Sequence, residues 1–150
     1  MGTAQTQLRS LPVMERTHTD VKLTLPAQPE NVSVIRHVLG AFAEALRLPD
    51  ELVEDLRLAV TEACTNVVRH AYPPNEIGPV EITIQPMEEH VSVIVSDHGR
   101  GIGTSSDTTG PGLGLPLIAA IADEVDLQPV PGGGSRVAMT FSRRSRGDVE

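Results

Sequence analysis

The strongest constraint on this chain is the order of three short segments. They are Glu62-Ala-Cys-Thr-Asn66-Val-Val-Arg-His70, then Asp97-His-Gly99-Arg-Gly101-Ile102-Gly103, then Gly110-Pro-Gly112-Leu113-Gly114-Leu115. Glu62, Asn66 and His70 recur every fourth residue inside a stretch of helical periodicity, so they share one drifting helix face. The second segment follows an apolar, β-branched run and joins an acid to bare backbone. The third precedes an apolar helical run. A fold that uses all three must bring a helix face, a strand end and a helix start together.

The remaining pattern supplies elements that can do so. Residues 21–25 alternate like a half-buried strand. From Pro29 the apolar positions Val34, Ile35, Val38, Leu39, Phe42, Ala45 and Leu46 recur at threes and fours, which predicts a helix stopping near Leu48-Pro49. Asp50 stands where an N-cap would open a second helix, with Leu52, Leu56, Val60, Ala63, Val67 and Ala71 as its apolar stripe. Tyr72-Pro73-Pro74-Asn75 ends it. Residues 80–84 and 91–95 read as an antiparallel hairpin. Glycine and small hydroxyl residues dominate from His98 to Pro111, a loop suited to cover a ligand. Pro116 is tolerable only in a first turn, which pins a helix start against the preceding glycines. Strands near 124–128 and 135–141, around Pro131-Gly-Gly-Gly134, complete an α/β arrangement of two layers, with helices on one face of a mixed, mostly antiparallel sheet. Residues 1–17 and 143–150 read as flexible tails around one domain, 18–142.

At 150 residues the chain suits a single core that buries roughly 68–70% of the unfolded surface. A formal net charge of −8 without a basic run argues against a nucleic-acid partner. One cysteine, Cys64, and no long apolar run point to a cytoplasmic protein without a membrane span. Lys22 is the only lysine, so neither a P-loop nor a two-lobed protein kinase site can be built. If a nucleotide binds, amides, a metal ion and arginine must handle its phosphates.

The chemistry of the three segments fits that demand. The Asn66 amide oxygen is a hard neutral ligand of the kind that phosphate-bound Mg2+ accepts. Glu62, one turn earlier, can take a proton from an attacking hydroxyl. A solvated polar stripe on an amphipathic helix would show the same spacing. Asp97 ends a strand, where a carboxylate is poorly hydrated and needs a donor. The adenine amine is such a donor whereas guanine offers a carbonyl, so an ionised Asp97 favours ATP over GTP. An Asp-Gly turn explains the residue equally well. Gly99 and Gly101 leave room for a flat ring that Ile102 can cover. The amides after Gly110 and Gly112, with the following helix dipole, make an anion cradle. Arg100, Thr108 and Thr109 are auxiliary candidates; Cys64 reads as core.

With those residues in place, the chain resembles the GHKL (Bergerat-fold) ATPases, and within them the small bacterial anti-sigma-factor serine kinases, from about residue 21 to 141. Glu62 to Tyr72 looks like the N-box, Asp97-x-Gly99-x-Gly101-Ile102 like the G1 box, and Gly110-x-Gly112-Leu113-Gly114-Leu115 like the G2 box. The resemblance implies Asn66 on magnesium, Glu62 as catalytic base, Asp97 on the adenine amine, and Gly112 and Gly114 at the phosphates. Ser135 stands where the family usually has threonine near adenine, and Arg36 where it often carries a partner-gripping arginine. It also implies a homodimer that sequesters a sigma factor and phosphorylates a serine on an anti-anti-sigma (STAS-type) protein, a partner switch. The segment joining the G1 and G2 boxes is short, Thr104 to Pro111. The alternative expectation is therefore a catalytically inactive ATP-binding interaction module. A histidine kinase catalytic domain is disfavoured, because no phosphoacceptor helix pair precedes the segments.

Overall fold

The computed structural model describes residues 20–100 and 114–144. Its elements run β1 (Val21–Pro26), α1 (Pro29–Ala45), α2 (Asp50–Asn66), one π-helical turn (Val67–Ala71), β2 (Pro79–Pro86), β3 (His90–Asp97), α3 (Gly114–Ile121), β4 (Glu124–Pro129) and β5 (Ser135–Ser142). The five strands lie in the order β1-β2-β3-β5-β4. All four pairings are antiparallel, so the sheet expected to be mostly antiparallel is so throughout the described residues. Because β5 rather than β4 lies beside β3, the end of β3 and the start of β5 meet at one end of the sheet's central strands.

Alternation decides which face is covered. Val80, Ile82 and Ile84 of β2, Val91, Val93 and Val95 of β3, and Val137, Met139 and Phe141 of β5 all project to one side and are buried. Against them packs the α2 stripe of Leu56, Ala59, Val60, Ala63 and Cys64, continued by Val67 of the π turn, with Ile35, Leu39 and Ala43 of α1 and Ile118 of α3 closing the same core. The helices thus form the second layer on a single face. No helix of the described residues is long and apolar enough to cross a membrane.

Two helix ends differ from the sequence expectation. α1 stops at Ala45, earlier than Leu48-Pro49, because Arg47 adopts a left-handed φ of 54° and returns the chain so that Leu48 enters the core. The N-cap of α2 is Pro49 and not Asp50; no side-chain cap bond forms, and Asp50 and Glu51 instead place negative charge in the first turn, where the helix dipole favours it. The third departure is the widening of the helix into a π turn over Val67–Ala71, which no local pattern announces.

Cys64 is fully buried, and that burial pushes its thiol up to about 12. Alkylation of the native chain at pH 8 should accordingly be limited by opening of the core, and proceed at the rate of a free thiol only in denaturant. Rapid labelling without denaturant, followed by mass spectrometry, would contradict this packing.

Candidate nucleotide site

Asp97, the last residue of β3, is only 1% exposed. Its Oδ1 accepts the Gly99 amide at 2.9 Å, closing a tight turn. Ser96 pairs with Arg136, so the register carries on to set Asp97 opposite Ser135. Among the described residues these two are the buried polar side chains, a placement that needs a polar reason. Gly134, just before Ser135, has φ +107°, and a Cβ there would strike the Asp97 carbonyl. Only glycine lets the turn before β5 approach the end of β3 so closely.

The helix face arrives from the other side. Glu62 and Asn66 are half-buried on α2, whereas His70, in the π turn, is exposed. Gly114 opens α3 and is buried against Asn66: a Cβ at that position would lie 2.6 Å from Asn66 Nδ2 and 3.0 Å from its Oδ1. The first and third sequence segments are therefore in contact. The second is tied to the residue that follows the first, since Arg100 donates its amide to the Ala71 carbonyl at 2.9 Å. A Cβ on Gly99 would collide with that same carbonyl. The Cβ side of Gly99 is thus filled by the backbone of the π turn, so the lack of a side chain there serves this close packing.

Gly101, Ile102, Gly110, Gly112 and Leu113, together with the segment Thr104 to Pro111 and its threonines, lie outside the described residues. Arg36 is exposed on α1, apart from the other candidates. Sequence reasoning missed a role for Tyr72. Its hydroxyl donates to the Pro79 carbonyl and accepts the His98 amide at 2.9 Å, while its ring fills the space that a side chain on Gly78 would need. The available signal was its place between the helix and two prolines.

Beside it His98 Nε2 lies 3.0 Å from Glu81 Oε2 in an exposed pair. Burial raises the Tyr72 phenol above its ordinary value of 10; the His98 amide opposes this, and the negative charges of Asp97 and Glu81 add to it. Its contribution to stability is present below pH 10 and is lost as pH rises through the folded value, because the unfolded phenol gives up its proton first. Tyr72 is the only tyrosine and the chain has no tryptophan, so tyrosinate absorbance reads this one group. Native protein should develop that absorbance at higher pH than protein in urea. Superimposable titrations would remove the burial from the account.

The donors suit a nucleotide with its magnesium. Asp97 presents a buried acceptor at one end, and the Asn66 amide meets the start of a helix at the other. Among the described residues no group of three or more His, Cys, Asp or Glu could hold a metal by itself. An ion here would be carried mainly by phosphate oxygens, with Asn66 as its protein ligand, which is the coordination that magnesium tolerates.

The chain is similar to known proteins over most of its length. Residues 25–141 match the histidine kinase-like ATPase domain family. The serine-protein kinase RsbW of Bacillus licheniformis is 34% identical, over 90% of this chain and 93% of its own length. RsbW of Bacillus subtilis is 38% identical over 80% and 83%, respectively. In a crystal structure of the RsbU and RsbW domains of Rv1364c from Mycobacterium tuberculosis, the similar fold superposes with a TM-score of 0.68 at 20% identity. It covers 86% of this chain and 34% of that longer one. With the family match spanning most of the sequence and relatives alike nearly end to end, the chain belongs to the histidine kinase-like ATPases.

Proposed function

We propose that this chain is an ATP-dependent serine/threonine protein kinase that acts as an anti-sigma factor, with a STAS-type anti-anti-sigma protein as its substrate. The observation that carries the reading is the contact of the Asn66 amide with Gly114, which joins the N-box helix face to the start of α3 beside the buried Asp97. Adenine lies at Asp97 and Ser135, and the triphosphate extends toward Asn66 and Gly114; Gly110 and Gly112 are assigned to its phosphates on the family resemblance alone. Magnesium, held through the phosphates and Asn66, would supply charge neutralisation of the transferred group.

Glu62 acts one helical turn from Asn66. The substrate serine Oγ attacks the γ-phosphorus, the bond from that phosphorus to the bridging oxygen breaks, ADP departs, and the hydroxyl proton passes to the Glu62 carboxylate. The new phosphate adds negative charge to the partner surface and drives exchange between substrate and sigma factor. Arg36, exposed on α1, is assigned to gripping the partner, in a cytoplasmic homodimer. The working domain is assigned to residues 18–142.

The short stretch between the second and third sequence segments favours one alternative, an ATP-binding module that gates partner binding without transfer. Incubating the chain with γ-labelled ATP, magnesium and a STAS protein encoded beside it separates the two. Label on a serine of that protein is expected. Nucleotide binding without label would leave the binding module standing and end the kinase reading.

A further inference from the structure

Resting on the adenine assignment above, we propose that Tyr72 is a positioning residue for base recognition: its hydroxyl sets the direction in which the Asp97 carboxylate points. The turn after β3 has three successive amides, and each is committed. His98 N–H goes to the Tyr72 hydroxyl, Gly99 N–H to Asp97 Oδ1, and Arg100 N–H to the Ala71 carbonyl. The outer two hang the turn from adjacent residues at the end of the π turn. The middle one fixes Asp97 itself, since the carboxylate oxygen held by Gly99 determines where the second oxygen lies. A donor on the ligand meets that second oxygen.

Rotation of the Gly99 peptide would therefore swing the carboxylate, and Tyr72 is the side chain that resists it. Its own place is fixed twice, by the bond to the Pro79 carbonyl and by the ring lying over Gly78. A hydroxyl that donates to one strand end and accepts from the next locks both in a way that a phenyl ring cannot. Recognition of an amine by a carboxylate depends on angle as well as distance, so a small error in direction is felt at the base.

The alternative is that Tyr72 merely staples the hairpin to the helix, which would lower stability and weaken all nucleotides alike. Tyr72→Phe separates the two when titrated calorimetrically with ATP and with purine riboside triphosphate, which lacks the exocyclic amine. The unmodified chain should prefer ATP by about one to two decades, the worth of a hydrogen bond to a charged group. In Tyr72→Phe that preference should shrink by about tenfold while affinity for the amine-free analogue stays within about twofold. Equal weakening of both ligands, or an undiminished preference, would overturn the proposal.

A second measurement does not depend on how well the variant folds. Uniform 3-fluorotyrosine labels position 72 alone, because the chain has one tyrosine. ATP should shift its fluorine resonance by more than purine riboside triphosphate does; identical shifts at saturation would count against Tyr72. Absence of any ATP heat with the unmodified chain would instead strike the nucleotide assignment, and this proposal with it.

Discussion

Glu62→Gln should lower label transfer to the partner by about 10²–10⁴-fold, the usual contribution of a positioned general base. ATP affinity should stay unchanged. Glutamine keeps the length and shape of the side chain, so the half-buried position on α2 remains filled and the helix face still presents Asn66 to Gly114. What disappears is an acceptor for the serine proton. Single-turnover transfer assays together with calorimetry on the same preparation read both halves of the expectation. Transfer at the parental rate would assign the proton to another group; loss of nucleotide binding would mean that Glu62 supports the site's structure and not its chemistry.

Asp97→Asn acts at the other end of the candidate site. The Asn side chain can still accept the Gly99 amide through its oxygen, so the turn has reason to survive. Its NH2 group then faces the adenine amine, and two donors meet where a donor met an acceptor. ATP affinity should fall by about 10–100-fold, which corresponds to roughly 1.5–3 kcal/mol for a hydrogen bond to a charged acceptor. The thermal midpoint without nucleotide should move little by comparison. Equal ATP affinities for the two proteins would remove Asp97 from base recognition.

Much of this was legible because period and composition act locally. The strand at residues 91–95 alternates β-branched residues, and β3 appears there with Asp97 as its final, buried member. Helix α2 follows its apolar stripe, and Cys64 falls into the core on that account. The three segments offered candidate chemistry through residue type and order. What spacing and residue type could not convey was long-range geometry. The carbonyl that crowds Gly99 comes from Ala71, across the fold, and depends on a π turn that no local propensity encodes.

The bonds of Tyr72 to Pro79 and His98 are of the same kind. They exist because the chain leaving the π turn passes the start of β2 and the end of β3, a fact of packing and not of spacing. The early stop of α1 likewise reflects Leu48 turning into the core through a left-handed Arg47, and a proline two residues later gave only an approximate boundary.

The most direct measurement is a crystal structure of the chain with magnesium and a non-hydrolysable ATP analogue. It should show the adenine amine within hydrogen-bond distance of the Asp97 carboxylate, Asn66 on the metal, and the phosphates beside Gly114. A nucleotide seated elsewhere, or a saturating soak that leaves the space between α2 and the end of β3 empty, would contradict the account at its root.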